Sequence, residues 1–414
     1  MISASPVYSA TSKPSAAQRL RTGNREDVRQ ALVDGRARTL ALQADYARAL
    51  PSLQVPQATA LNPPLWEWGH IAWFQEFWIG RNRQRSRGTA CDVTHNRAAS
   101  LLNTADSLYD SSEVSHASRW HLPLPDLQAT RAYLQITQAQ TLDLLDALPW
   151  NASQTHSDSD LYFFRLVALH EAMHAEAAVY MAQMLGLVLE AVPARTAVSS
   201  EVLHVPAQTY VQGSRAAGFA FDNELAGHPV SLPAFEIDAA PLPWSRYLPF
   251  VESGGYQDPQ WWGEAGWAWL IQTGLQAPRY LRQGHGGDWQ QAVFGHVETL
   301  NPGASATHLT LHEAQAWCRW AGRRLPSEAE WECAAAAPGF LWGSAWEWTA
   351  SEFTAHPGFT AHPYRDYSQP WFGTHQVLRG ASAATSQWLA HRQYRNFFQA
   401  HRNDVPAGLR SCAL

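Results

Sequence analysis

One stretch constrains this chain more than any other: Leu166-Val-Ala-Leu-His170-Glu171-Ala-Met173-His174-Ala-Glu176-Ala-Ala-Val-Tyr180-Met181, which holds neither glycine nor proline and consists of good helix formers. As an α-helix it sets His170 and His174 on one face, about 6 Å apart along the axis. That is chelating geometry, yet an i, i+4 histidine pair is as often one buried ring and one solvated ring. His170, Glu171 and His174 also match His-Glu-x-x-His, where the glutamate activates a metal-bound water. No further His or Glu follows at the spacing usual for that class, which weakens a zinc-hydrolase reading. Upstream, the run from Pro63-Pro64 through Trp66, Trp68, His70, Trp73, Phe74, Phe77 and Trp78 reads as an aromatic-rich helix carrying a third histidine. Three histidines from two helices can form a facial set that leaves metal positions open.

The 414 residues exceed one typical domain, and 46% hydrophobic content supplies two sizeable cores. A net charge of −6 gives no reason to expect nucleic acid as a partner. Met1 to Arg21 has no apolar core of a secretory signal, and no apolar run reaches the length of a membrane span. Cys91, Cys318, Cys333 and Cys412 are scattered without Cys-x2-Cys spacing, which fits a reduced, cytoplasmic protein; Cys412 is the thiol to check for a pocket role. Twenty tryptophans serve core packing first, but they also suit a pocket that holds a cation against ring faces.

Along the chain, residues 1–24 are expected to be flexible. From Asn24 to Leu50 the spacing predicts a helix stopped by Pro51, and the His70 helix follows. A polar, irregular stretch runs from Arg81 to His121. Asp126 is the expected N-cap of a helix reaching Leu148 before Pro149, and Ser157 opens the His170/His174 helix, which ends at Gly186. Four long helices with inward histidines describe a bundle over 25–191 with a metal site between helices. Residues 192–200 read as a linker. Beyond it, over 201–414, β-like runs at His204–Gly213 and Val230–Ile237 and helices at Leu311–Ala321 and Ser327–Ala337 predict an irregular α+β domain.

The second half resembles the formylglycine-generating-enzyme fold, a C-type-lectin-related α+β domain. The likeness rests on Phe221-Asp222-Asn223-Glu224, Ala321-Gly-Arg-Arg-Leu-Pro-Ser-Glu-Ala-Glu-Trp-Glu332, Trp346-Glu347-Trp348-Thr349 and Leu378-Arg379-Gly380. The first half resembles a DinB-like four-helix bundle. Their fusion is the architecture of the nonheme-iron sulfoxide synthases of ergothioneine biosynthesis and their selenoneine-forming relatives. The resemblance implies Fe(II) on His70, His170 and His174, O2 as oxidant, and hercynine (trimethylhistidine) as the imidazole whose C2 acquires sulfur or selenium. Three histidines leave room for imidazole, a thiolate or selenolate, and O2. Glu176 is then a candidate partner of a ligand histidine, or a solvated surface group.

This chain also departs from that family pattern. Met173 stands where the family commonly has a glutamine. Where the γ-glutamylcysteine-using form has two arginines and an Asn-Trp-Asp, this chain has Ser115-His116-Ala117-Ser118-Arg119 and Asn396-Phe397-Phe398. Arg119, Met173, Asn396, Phe397 and Phe398 are therefore the expected substrate contacts, with Phe359 near the position of the family's active-site tyrosine and Tyr364 the nearest hydroxyl and expected catalytic group. The copper-binding cysteines of the formylglycine enzymes have no counterpart, so that activity is not expected. Buried carboxylates need paired charges. Their loss predicts carbon-selenium bond formation between hercynine and a neutral selenosugar; the alternative is a sulfoxide synthase joining hercynine to cysteine or a related thiol. From other classes remain the zinc hydrolase and a metal-free binding protein.

Overall fold

The computed structural model describes residues 14–149, 157–190, 201–215 and 217–414. The expected linker at 192–200 and the expected flexibility of residues 1–13 lie outside them. The rest of that flexible stretch is corrected: Ala16–Thr22 form α1, capped by the Ser15 side chain, with Leu20 and Arg21 buried. Arg21 pairs with Glu224 at 2.5 Å, so this helix is pinned to the second half of the chain.

Four long helices follow. Asn24 caps α2 (Arg25–Ala49) in a reciprocal capping box with Asp27. Pro63 and Pro64 open α3 (Pro64–Gln75), whose missing N–H groups fall where a helix has no partner for them anyway. It continues into a π-helical turn, Glu76–Gly80. The expected irregular stretch holds one short α-helix, α4 (Ala105–Tyr109), and two 3-10 turns, Arg85–Ala90 and His116–His121. Asp126 caps α5 (Leu127–Asp146), and Ser157 caps α6 (Asp158–Leu185), which ends where Gly186 takes φ 65°, a left-handed stop that suits glycine. α2 packs on α5 and α6, and α3 packs on the same two. Nearly all of α3 is buried, which explains its apolar, aromatic composition. Among the described residues no helix is long and apolar enough to cross a membrane.

The second half is mixed. Its helices are α7 (Trp244–Glu252), α8 (Glu264–Thr273), α9 (Leu311–Trp320) and α10 (Glu328–Ala334). Each of the two long predicted strands is divided at a proline, which removes a ladder donor: β1 (Val202–Val205) and β2 (Gln208–Gln212) flank Pro206, and β3 (His228–Leu232) and β4 (Phe235–Asp238) flank Pro233. A three-stranded sheet, β5 (Leu281–Gln283), β6 (Trp289–Val293) and β7 (His296–Thr299), is polar-faced and gave no sequence signal. The remaining strands are β8 (Arg323–Arg324), β9 (Ala345–Glu352), β10 (Gln376–Ala381), β11 (Asn396–Phe398), β12 (Ala407–Gly408) and β13 (Cys412–Ala413). They form sheets ordered β1-β4-β13-β8 and β11-β10-β9-β12, with β2-β3 a separate pair. Cys412 is fully buried in the first of these, so its suggested pocket role is corrected to core packing.

The acidic motif residues are structural. Glu328 pairs with Arg395 at 2.8 Å, and Glu332 and Glu347 are held by Arg379 and Arg410, all within the interior. Breaking such a pair would strand a charge out of water, so these motifs hold the fold rather than perform chemistry. They tie α10 to the sheet β11-β10-β9-β12, whose opposite flank meets α6. There Trp346 Nε1 donates to Glu176 at 2.8 Å, and one apolar core runs from the bundle into this half.

Candidate functional site

α3 and α6 bring three imidazoles together. His70 Nε2 and His174 Nε2 each lie 3.2 Å from His170 Nε2. His70 and His170 are buried and His174 is half-buried. The far side of the rings determines what these nitrogens can be. His70 Nδ1 lies 2.8 Å from the Tyr109 carbonyl oxygen, and His174 Nδ1 lies 2.6 Å from Glu67 Oε2, so both Nδ1 atoms carry the hydrogen. Burial, then the neighbouring His174 ring, pushes His70 down to about 3, and burial likewise lowers His170, so neither ring protonates near neutral pH. Lone pairs on His70 Nε2 and His174 Nε2 therefore face a common point, an arrangement that a shared cation relieves. Two nitrogens about 2.1 Å from one ion and a right angle apart stand about 3.0 Å from each other, close to the observed spacing.

The surroundings fix the rings. Phe74, one turn beyond His70, stacks flat on His170 with centroids 3.5 Å apart, and Trp66 stacks on His70 at 4.8 Å. Burial alone would raise the Glu67 carboxyl, but the facing His174 ring, with help from His70 and Arg119, holds it below the ordinary carboxylate range. Glu67 Oε1 accepts from Asn62 Nδ2 at 2.5 Å, and Asn62 Oδ1 accepts from Arg119 Nη1 at 2.9 Å. Arg119, an expected substrate contact, thus lies behind the histidines, its guanidinium 3.7 Å over Trp66.

Two expectations are corrected. Glu171 does not face the histidine nitrogens: Arg36 Nε donates to it at 2.7 Å in a buried pair, so it is no water-activating base, and the zinc-hydrolase reading loses its base. Glu176 is neither solvated nor bonded to a ligand histidine; it accepts from Trp346, Ser382 and Thr385.

The second half closes over the same face of α6. Met173 Sδ accepts from Tyr394 at 3.2 Å, and Tyr367 donates to Tyr394 at 3.1 Å. Phe397 stands edge-on to Tyr367 and stacks on Phe353 at 4.0 Å. Asn396 begins the same strand, its Oδ1 accepting from Phe397 N at 3.0 Å, while Phe398 lies beneath Arg402, which is paired with Asp404. Phe359 packs on Phe372, which packs on Phe353, so it stands behind this layer rather than beside the histidines. Tyr364 meets Phe74 edge-on at 4.9 Å and lies 6.2 Å from His170 by ring centroids. Burial raises its phenol above the usual range, so the hydroxyl keeps its proton. Tyr364 also lines a cavity of about 280 Å³ with Trp73, Phe74, Trp78, Arg97 and Asp110. The rings nearest the histidines are therefore Phe74, Trp66 and Trp73 of the bundle, with Tyr364 from the second half; most tryptophans of that half, such as Trp244, Trp317 and Trp331, are core.

Sequence reasoning missed Glu67, Tyr367 and Tyr394. Glu67 had a signal, a lone acid one helical turn before His70 in an apolar run. Tyr367 follows Tyr364 by one short turn, whereas nothing local marks Tyr394.

Residues 190–341 match the sulfatase-modifying factor enzyme 1-like domain family. Hercynine oxygenase of Mycolicibacterium thermoresistibile is 31% identical over 446 aligned positions, covering 94% of each chain. Hercynine oxygenase of Mycolicibacterium smegmatis is 32% identical, covering 84% of this chain and 90% of its own. The formylglycine-generating enzyme of Streptomyces coelicolor is 28% identical over 44% of this chain. The likeness to the hercynine oxygenases thus runs through both halves, including the helices that carry the three histidines, and the chain belongs to the hercynine oxygenase family.

Proposed function

We propose that this protein joins hercynine to a thiol, using iron(II) and O2, as an ergothioneine-type sulfoxide synthase. The carrying observation is the convergence of His70, His170 and His174 in a chain related over 94% of its length to a hercynine oxygenase. The balance is simple: hercynine C2–H and the thiol S–H are lost, a C2–S bond and an S=O bond form, and O2 is reduced, supplying the sulfoxide oxygen and one water. Iron held by the three histidines supplies open coordination positions and the redox chemistry that activates O2. The chain's own residues do the rest. Glu67 and the Tyr109 carbonyl keep His174 and His70 in the ligating tautomer. Phe74, Trp73 and Tyr364 exclude water beside the site, and the protonated Tyr364 hydroxyl is the proton donor. Residues 25–191, taken as a DinB-like bundle, hold the metal, and 201–414 cover the substrates. Four buried, unpaired thiols support a cytoplasmic location. Replacing His70 with alanine is expected to remove bound iron and turnover together, read by metal analysis of anaerobically loaded protein; full retention of both would overturn the ligand set.

A second reading concerns the donor. Phe398 is uncharged, the arginine above it is paired with Asp404, and Arg119 is engaged by Asn62 and Trp66, so the positions expected to hold donor carboxylates do not offer a pair of free charges. That supports a neutral donor such as a selenosugar. Competition among a selenosugar, cysteine and γ-glutamylcysteine in one reaction, read by mass spectrometry, separates the readings: a predominant sulfur adduct retains the sulfoxide synthase, and a predominant selenium adduct replaces it.

A further inference from the structure

A line of contacts behind the histidines ends on a residue from outside both histidine helices. Arg119 sits in the 3-10 turn His116–His121. From it two arms reach two different ligand rings. In the first, Arg119 Nη1 donates to Asn62 Oδ1 at 2.9 Å, Asn62 Nδ2 donates to Glu67 Oε1 at 2.5 Å, and Glu67 Oε2 accepts from His174 Nδ1 at 2.6 Å. In the second, the Arg119 guanidinium lies 3.7 Å over the Trp66 ring, and Trp66 stacks on His70 with an interplanar angle of 11°. Trp66 Nε1 is anchored on the Leu108 carbonyl at 2.8 Å, next to the Tyr109 carbonyl that orients His70.

The first arm has a direction. An amide presents an acceptor on one side and donors on the other, so an asparagine between an arginine and a carboxylate has one favourable orientation. Arg119 occupies the acceptor side and obliges Nδ2 to face Glu67. Without Arg119 the amide is free to turn its oxygen toward Glu67, two acceptors would oppose each other, and the carboxylate would lose its hold on His174 Nδ1. Partners of this kind, one step removed from the metal ligands, typically alter metal affinity 10- to 100-fold.

We propose that Arg119 is a positioning residue for the metal site, acting on His174 through Asn62 and Glu67 and on His70 through Trp66, and not a contact for the donor. This rests on the reading of the three histidines as a metal site. It makes a prediction opposite in sign to simple electrostatics, because removing a nearby cation would by charge alone strengthen metal binding.

The experiment is a cobalt(II) titration of the metal-free full-length protein, followed by calorimetry and by the visible absorption of the bound ion. Arg119→Ala and Asn62→Ala are each expected to weaken cobalt binding about tenfold and to shift the absorption bands. Arg119→Lys, which keeps the charge but not the planar stack, should fall between Arg119→Ala and wild type. The double variant should bind no more weakly than the weaker single one, since both changes break one chain. Affinity and spectrum unchanged or strengthened in Arg119→Ala would overturn the proposal, as would an unchanged metal site with a raised KM for the thiol. If Arg119→Ala does not fold, Asn62→Ala and Arg119→Lys decide on the same criteria. A wild-type protein that takes up no cobalt would bring down the metal reading itself, whereas wild-type binding with unchanged variants brings down only the role of Arg119.

Discussion

Tyr364, Tyr367 and Tyr394 are all kept protonated by burial, but their surroundings separate them. Tyr367 and Tyr394 are tied to each other and to the Met173 thioether, a soft and weak acceptor, so their hydroxyls shape the wall of the site. Tyr364 lines the 280 Å³ cavity with its ring edge against Phe74. A positioned proton donor contributes about 100-fold or more to a rate. Tyr364→Phe should therefore lower kcat by about 100-fold while leaving bound iron at the wild-type level. Single-turnover kinetics alongside metal analysis checks this; an unchanged kcat would move the proton donor elsewhere.

At the level of elements, α6 serves both halves. One face carries His170 and His174 toward α3, and the next turns carry Glu176 and Tyr180 toward β9. Glu176 is buried and receives hydrogen bonds from Trp346, Ser382 and Thr385, so three of the donors that hold its carboxylate come from across this seam. Trp346→Phe keeps most of the apolar volume and removes one donor. An under-satisfied buried acceptor costs about 1–3 kcal/mol, and urea unfolding of the apo-protein should show a loss of that size. The same seam positions Met173, so the variant should also bind substrate more weakly than its loss of stability alone explains, as read by KM at a temperature where it remains folded.

Across the whole molecule, the join between halves includes a neutral imidazole. His362, from the loop that carries Tyr364, lies 3.1 Å from the Tyr162 hydroxyl on α6, and burial lowers it to about 4 from its ordinary 6.5. In the unfolded chain it gains a proton at the ordinary value, so proton uptake between the two values favours unfolding. Stability from this group is complete above pH 6.5, declines as pH falls, and levels off below pH 4. The melting temperature should drop across that window in wild type and drop less in His362→Gln. A variant with the same acid profile as wild type would assign the sensitivity to other groups.

The helices and the histidine pair were legible because they depend on short-range chemistry. Caps at Asn24, Asp126 and Ser157, the proline start at Pro64 and the glycine stop at Gly186 are local, and an i, i+4 pair shares a face wherever the helix lies. Motifs in order along the chain likewise exposed the family. Other features depended on packing. Glu171 and Glu176 are five residues apart on one helix, yet one meets Arg36 and the other meets Trp346, and no local rule distinguishes either from a catalytic or solvated acid. Arg119 and Glu67 are joined only because a 3-10 turn and a loop at Asn62 fold behind α3. Tyr394 reaches Met173 across 221 positions of chain. Short-range preferences are encoded in neighbouring residues, whereas a buried charge acquires its role from whichever partner the fold delivers to it.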